Sequence, residues 1–567
     1  MCGIAGIVGK DAKLSTLNKM LYSQSHRGPD NTGFWEGEFT VLGHNRLSII
    51  DLSKKANQPF IDNYESYILS FNGEIYNYVE LKEELKHKYI FKTNSDTEVL
   101  LAGYIVWGKD CLSKFNGMFS FAIYDTINKI LFAARDRFGV KPFYYHLNND
   151  TLFFSSEIKA IHSAGIEKTQ NEQVWANYLV YGSYGMPEES FWEGINQLPG
   201  GHYLEFKNNS ISISKWYDFE MEIKKYSREP LHKVKEQYLS LLKDSINLRF
   251  RSDVKVGFNI SGGLDSSTLL TLVNLNKSNE NINAYTFYTN DKKYDELPWV
   301  EEMITLTKNS LKKVLLSVDN ISDKIEELSY FQDEPFGGIP TIAYSQIFKK
   351  ARKENILVLL DGQGMDEQWA GYDYYINNNS NNIQGTIKSP FRTNVLRDKL
   401  LKRAKKPIYP TPFNDDLLNK QYRDLFYTKI PRALRFNDRI SMANSTELRE
   451  PFLDYRLVEY AFAQPIEYKI KNGIQKYLLR EIVADYLSDS ITLAPKRPLQ
   501  TPQREWLGYE LKDYVSKQIE MIETSEFSEW FKLDELKLEW EKYKIGKKES
   551  SFHIWQWVSV SNFLIRS

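Results

Sequence analysis

The sequence predicts two domains of mixed class, an α+β unit followed by an α/β unit, on three observations. The chain has 567 residues, too many for one hydrophobic core. Its first two hundred residues carry runs of short apolar strands with helices between them, which suits two stacked antiparallel sheets with helices outside. From about residue 254 strands and helices alternate, the pattern of a parallel sheet covered on both faces.

The elements follow in order. Residues 3–8 alternate small and branched side chains and read as a buried strand. Further strands are expected at 67–71, 119–124, 129–135, 142–146 and 151–155, with helices at 78–88 and 97–107. Residues 197–202 look like a turn and 211–213 like a strand, so the boundary is placed between 1–215 and 216–567. A helix at 231–250 leads into a strand at 254–260 and a helix at 264–275. Strands at 284–289, 313–317 and 356–360 then alternate with helices at 296–307, 321–331 and 341–354. The Asn-rich run 377–382 has no packing potential, and the basic run 397–406 reads as a solvated helix face. The last fifty residues, rich in Trp and Lys, carry no readable motif.

Composition narrows the function. Hydrophobic residues at 42% and charged residues at 26% are ordinary for a globular protein. A net charge of −1 argues against a general nucleic-acid or membrane-surface binder. The two cysteines, Cys2 and Cys111, exclude a disulfide scaffold and fit a reducing compartment. No apolar run approaches the ~18 residues of a transmembrane helix. The N-terminus lacks the basic segment of a signal peptide, so a cytoplasmic protein is expected.

The most informative stretch is Ser261-Gly262-Gly263-Leu264-Asp265-Ser266-Ser267, between a strand and a helix. Its glycines let backbone approach a ligand. The helix-start N–H groups and serine hydroxyls offer donors to an anion, phosphate being the obvious one. Asp265 would repel phosphate unless a Mg²⁺ lies between them. The bland alternative is an ordinary Gly-rich turn. A second strand end carries Asp361-Gly362-Gln363-Gly364-Met365-Asp366-Glu367, where ligands of parallel sheets bind. Asp366 could reach the same ion as Asp265, or Asp366 and Glu367 simply open the next helix. Asp333-Glu334-Pro335 is either a site loop or a helix-capping turn. Cys2 beside the initiator methionine could supply a thiol nucleophile and, once Met1 is removed, an α-amino base on one residue. Taken alone it reads better as a small buried hydrophobe.

Cys2 does not stand alone. Met1-Cys2-Gly3-Ile4 is followed by His26-Arg27-Gly28-Pro29-Asp30 and Gly43-His44-Asn45-Arg46-Leu47-Ser48-Ile49-Ile50-Asp51. Phe71-Asn72-Gly73-Glu74, Ser95-Asp96-Thr97-Glu98 and Asp136-Arg137-Phe138-Gly139-Val140-Lys141-Pro142 come next. Over residues 1–205 this series resembles the class II glutamine amidotransferase domain. The resemblance implies an Ntn-type αββα sandwich in which Cys2 attacks the glutamine side-chain amide. It makes Asn72 and the Gly73 N–H the oxyanion hole, and it has Arg46 take the α-carboxylate. Glu74 and Asp96 hold the α-ammonium, with Leu47, Ser48, Ile49 and Ile50 alongside.

The Ser261 loop, Asp361–Glu367, Asp438–Ala443, Arg449–Asp454 and Gln475–Arg480 together resemble the synthetase domain of glutamine-hydrolysing asparagine synthetases, over about 225–510. Lys496-Arg497-Pro498-Leu499-Gln500-Thr501-Pro502 belongs to the same set. That resemblance implies an ATP-pyrophosphatase-like fold. It places ATP against Ile260, Ser261, Gly262, Gly263, Asp265, Ser266, Thr289, Asp361 and Gly362. Mg²⁺ falls to Asp265 and Asp366, and the transferring phosphates fall to Lys476. Gln363 departs from the pattern, because the family commonly has Glu there; a Gln cannot accept a proton. The implied reaction is an ATP-driven, glutamine-dependent amidation, with aspartate as acceptor through a β-aspartyl-AMP. A sugar uronate of a surface polysaccharide is the alternative acceptor, and a non-catalytic binding protein that kept the fold is the rival class. Neither nucleic acid nor membrane is an expected partner. A homodimer is compatible with the sequence, which does not give the oligomeric state.

Overall fold

The computed structural model describes residues 2–276, 282–376, 390–494, 501–546 and 550–564. The N-terminal part holds two six-stranded antiparallel sheets. In the first, Gly3–Val8 pairs with Thr40–Arg46 on one side and Thr151–Ser155 on the other. In the second, Tyr67–Ile75, Gly117–Asp125 and Ile130–Arg135 form the centre. Ile4, Val8, Leu42, Ile68, Ala122 and Phe154 pack between the sheets. Leu17, Met20 and Leu21 of helix Leu14–Ser23 cover one outer face. Val99–Ala102 of helix Asp96–Trp107 cover the other. Gly6 is required by this packing, since a Cβ there would lie 2.3 Å from the Phe154 ring.

The C-terminal part is built on a five-stranded parallel sheet. Its order is Ser310–Leu315, Asn283–Tyr288, Val256–Asn259, Val358–Leu360 and Glu447–Arg449. Helices Leu264–Asn276, Leu297–Thr307, Ile321–Gln332 and Ile339–Lys353 connect and cover it. Among the described residues no helix is long and apolar enough to cross a membrane.

Several boundaries differ from expectation. The strand expected at 67–71 runs on through Asn72, Gly73 and Glu74 to Ile75, because Gly73, at φ +154°, passes where a Cβ would meet Met118 O at 2.1 Å. The strand expected at 313–317 lies at Ser310–Leu315, at the open edge of the sheet. Its mixed sequence, Ser-Leu-Lys-Lys-Val-Leu, carries little alternation to fix the register. The basic run 397–406 forms only a short turn of helix, Asp398–Leu401, which buries Leu400. The Asn-rich run and Lys496–Gln500 lie outside the described residues.

Among the contacts that join the two parts are two clasps. The last fifty residues, silent in the sequence, supply the apolar clasp. Helix Phe552–Leu564 sets Phe563 edge-on to Trp175 and tilted against Trp192 of the N-terminal part. Gln556 Nε2 donates to Tyr178 O at 2.5 Å. The second clasp is ionic and buried. Arg27 Nη1 and Nη2 donate to the two Asp438 carboxylate oxygens at 2.8 and 3.1 Å, and Nη1 also to Glu157 at 2.9 Å. Arg439 lies 3.0 Å from Glu157 and 3.3 Å from Asp333. Burial opposes charge on Glu157, but His26, Lys159 and Arg439 hold it well below the usual carboxylate range. Asp333 therefore belongs to the interface, with φ +60°, and also accepts from the Ile158 N–H. Glu334 likewise binds the Phe191 N–H and Arg435.

Removing one partner of a buried pair strands the other charge, which costs about 3–5 kcal/mol. Arg27→Ala is therefore expected to lower the urea unfolding midpoint by that equivalent, and Arg27→Lys to restore only part, because an ammonium lacks the fork. An unchanged midpoint would show that the interface does not need the network.

Candidate active sites

The first site is built where Gly3–Val8 begins beside the Tyr67–Ile75 strand. The Cys2 N–H donates to Asn72 Oδ1 at 3.0 Å. Because that group can only donate, the Asn72 amide is oriented, and its Nδ2 is left buried with no hydrogen-bond partner among the described residues. A buried donor without a partner is uncommon; next to a thiol it is placed for an oxyanion. Arg27 Nε donates to Cys2 O at 2.9 Å, and Cys2 Sγ lies 3.9 Å from Leu47 O. Burial pushes the Cys2 thiol up, while a backbone hydrogen bond at Leu47 and the Arg46 charge draw it down.

A small cavity opens beside Cys2, lined by Arg46, Leu47, Ile49, Ile50, Gly73, Glu74 and Asp96 among the predicted residues. Ser48 falls outside the lining, its N–H donating to Asp30 at 2.8 Å. Asn72 lies under Cys2 instead of on the cavity wall. Gln58, Ser95 and Thr97 join the lining unforeseen. Gln58 accepts from the Phe71 N–H at 2.7 Å and donates to Thr97 at 3.3 Å. Arg46 donates to Ser53 O at 2.8 Å, to Asn57 at 2.7 Å and to Asp51 O. At the far end Glu74 and Asp96 are both buried. Burial, with Glu447 and Asp96 close by, holds Glu74 well above its ordinary value. Burial likewise pushes Asp96 to about 6 against the Ile75 N–H bond, with Glu447 adding to the rise. Two crowded carboxylates of this kind favour a bound ammonium. One cation already approaches: Arg449 Nη2, from the last strand of the parallel sheet, is 3.6 Å from Glu74.

The second site lies at the carboxyl ends of the parallel strands, in a cleft of about 1010 Å³. Ile260, Ser261, Gly263, Asp265, Ser266, Asp361, Gly362, Gln363, Asp366 and Lys476 all line it. Gly262 does not. At φ +71° it turns the chain where a Cβ would meet the Val300 N at 2.9 Å, so it serves the packing of helix Leu297–Thr307. Thr289 is also outside the lining, its Oγ1 accepting from the Asp291 N–H; the strand ends at Tyr288 and offers Thr286 and Phe287 instead. Ser261 Oγ and Ser266 Oγ are 3.2 Å apart, and Ser266 Oγ donates to Gly263 O at 3.2 Å, which closes the loop on itself.

Lys476 joins the two strand ends. Its Nζ donates to Asp265 Oδ1 and Oδ2 at 2.8 and 2.6 Å and lies 2.6 Å from Asp366 Oδ1. Burial opposes its charge, but Asp265 and Asp366 hold the ammonium above its ordinary value. Gly371, which the sequence did not single out, makes this possible: a Cβ there would fall 1.9 Å from Asp366 Oδ1 and 2.2 Å from Lys476 Cε. Burial raises Asp361, whose Oδ1 accepts from the Gly362 N–H at 2.7 Å.

Comparison with known proteins agrees with this division of chemistry. A family model described as a glutamine amidotransferase domain matches residues 1–217, and one described as asparagine synthase matches residues 237–565. Asparagine synthetase [glutamine-hydrolyzing] 3 of Bacillus subtilis (strain 168) is 30% identical over 541 residues, 88% of this chain and 86% of that protein. Asparagine synthetase [glutamine-hydrolyzing] 1 of the same organism is 30% identical over 587 residues, 93% of this chain and 91% of that protein. A putative asparagine synthetase [glutamine-hydrolyzing] 2 of Methanocaldococcus jannaschii is 35% identical over 405 residues, 66% of this chain and 76% of that protein.

Gly371→Ala separates the sites. It is expected to lower ATP-dependent pyrophosphate release about 10-fold or more by displacing preorganised charges, while glutamine hydrolysis stays unchanged. Equal rates of pyrophosphate release in mutant and parent would show that the Asp265–Lys476–Asp366 geometry does not matter.

Proposed function

We propose that this chain, which belongs to the glutamine-hydrolysing asparagine synthetase family, hydrolyses glutamine at Cys2 and uses the ammonia to amidate a carboxylate that ATP has activated. The observation that carries the reading is Lys476 clasped between Asp265 and Asp366 at the mouth of the Ser261–Ser266 loop. That cleft belongs to the same chain whose other half presents Cys2 and the unpaired Asn72 Nδ2. We take residues 1–215 as the glutaminase unit and 216–567 as the synthetase unit, and place the enzyme in the cytoplasm.

In the first unit the Cys2 thiolate attacks the glutamine amide carbon. Asn72 Nδ2 and the Gly73 N–H receive the oxyanion, a role worth ~3–4 kcal/mol per donor in such sites. Arg46 orients the α-carboxylate, and Glu74 with Asp96 holds the α-ammonium. Removal of Met1 would free the Cys2 α-amino group as the base. In the second unit the acceptor carboxylate attacks the α-phosphate, and pyrophosphate leaves while Lys476 holds it. Asp265 and Asp366 suit Mg²⁺, an ion usually bound by one or two carboxylates plus substrate phosphates. Bound there, it would offset the phosphate charge. Ser261, Gly263 and Ser266 face the phosphates, and Asp361 and Gly362 border the same cleft.

Aspartate is the acceptor we propose, through a β-aspartyl-AMP. One observation favours a second reading: Gln363, where the family commonly has Glu, lines the cleft beside the loop, so another carboxylate such as a sugar uronate could be seated there. The test incubates enzyme, ATP, Mg²⁺ and glutamine with aspartate and measures asparagine and pyrophosphate together. Both are expected to rise with aspartate. Pyrophosphate that ignores aspartate would remove it as acceptor.

Two sets of variants test the residue roles. Cys2→Ala is expected to abolish glutamine-dependent amidation and to keep amidation with an added ammonium salt; glutamine-dependent product from the variant would refute the nucleophile. Asp265→Asn and Lys476→Ala are each expected to lose about 10²-fold or more of pyrophosphate release with glutamine hydrolysis intact. Either variant releasing pyrophosphate at the parental rate would be structural only.

A further inference from the structure

Amide formation needs a proton acceptor, and Gln363 cannot be one. A carboxylate that could be one stands a single strand away. Val358–Leu360 and Glu447–Arg449 pair in parallel, and the Asp361 N–H donates to Arg449 O at 3.0 Å. Glu450 therefore leaves the sheet at the same end as Asp361-Gly362-Gln363. The turn that follows, Pro451–Leu453, backs the Gln363 loop: at Gly364 a Cβ would meet Leu453 at 2.5 Å. Glu450 is only 5% exposed, and its Oε2 is buried with no hydrogen-bond partner among the described residues. A buried carboxylate oxygen without a donor is costly.

Glu450 lines neither cavity, and charged groups of both units surround it. Lys141 of the glutaminase unit is one of them, its Nζ 3.5 Å from Leu448 O. Asp438, another neighbour, is held by Arg27, whose Nε binds Cys2 O. On the synthetase side it faces Asp361 and Arg249, with Tyr344 nearby.

We propose that Glu450 is the proton acceptor of the amide-forming step, in place of the family's glutamate at position 363. This rests on the reading that the amide forms from an acyl-adenylate. The ammonia nitrogen attacks the acyl carbon and a C–N bond forms. The C–O bond to AMP breaks, its electron pair leaving on the phosphate oxygen. One N–H proton passes to the Glu450 carboxylate, giving amide and AMP. Burial, with Asp361 and Asp438 close by, pushes Glu450 up to about 8 against the pull of Lys141 and Arg249. Its basic form therefore grows as pH rises through that value, near the range in which a general base works best.

The test uses the full-length enzyme and three readouts. These are glutamine hydrolysis, acceptor-dependent exchange of labelled pyrophosphate into ATP, and hydroxamate formation with hydroxylamine, which is already a free base at neutral pH. Glu450→Gln is expected to keep the first two within about twofold and to lose hydroxamate formation by about 10²-fold or more. The rise of the parental rate through about pH 8 should flatten. Adding Gln363→Glu to that variant should recover much of the loss. Hydroxamate formation at the parental rate in Glu450→Gln would overturn the proposal. So would a parallel fall of all three readouts, which would make Glu450 structural. Parental enzyme that shows no exchange with aspartate or with a hexuronate would instead bring down the adenylation reading, and this assignment with it.

Discussion

One guanidinium holds the two chemistries together. Arg27 is fully buried, and its donors divide between the backbone of the proposed nucleophile and a carboxylate of the other unit: Nε to Cys2 O, Nη1 and Nη2 to Asp438. Burial alone would strip its charge, but Asp438 and Glu157 more than offset that, so the cation is retained. A charge kept in such a place fixes geometry more than it adds stability. Cys2 cannot shift along its strand without disturbing Arg27, and Arg27 cannot turn without abandoning Asp438. The register of the glutaminase sheet and the position of the Lys429–Met442 helix are thereby one constraint.

The same helix shows why function-bearing motifs were legible in the sequence and their partners were not. Gly-rich loops at strand ends have short-range chemistry, so Ser261–Ser266 and Asp361–Asp366 could be read and do share one cleft. Asp438-Arg439 could be read only as part of a family pattern; its partners lie 411 residues away in sequence, beyond any local pattern. The Trp-rich last helix, whose aromatic residues meet Trp175 and Trp192, was unreadable for the same reason. Two of the expected site residues lie outside the lining for local reasons. Of residues 47–50, Leu47, Ile49 and Ile50 line the cavity, while the Ser48 N–H is held by Asp30. Thr289 was placed at the end of a strand that stops one residue earlier.

Electrostatics gives the glutaminase pocket its direction. Glu74, Asp96 and Glu447 crowd together, and Arg449 pairs with Glu447 and stands 3.6 Å from Glu74. Arg46, also in the lining, has the Ser53 and Asp51 carbonyls and the Asn57 side chain as its partners. An amino acid presents an ammonium and a carboxylate at one carbon, and this cavity offers the complementary signs in sequence. Arg449 belongs to the parallel sheet, so part of the glutamine pocket's charge is set by the synthetase unit.

The synthetase site poses a donor-counting problem whose solution couples metal to phosphate. An ammonium has three N–H donors. Lys476 donates to both oxygens of Asp265 and keeps an ion-pair contact with Asp366 Oδ1, so these carboxylates compete with a phosphate for its ammonium. If Mg²⁺ takes those carboxylates, the two positive charges compete for the same oxygens, and Lys476 is released towards the phosphates. The ion and the phosphate chain would then bind cooperatively, each removing the obstacle to the other. Gly371, which admits no side chain between Asp366 and Lys476, leaves the lysine the room to make that exchange. Asp265 and Asp366 are thus at once the metal ligands we propose and the latch that keeps the phosphate-binding lysine in reserve.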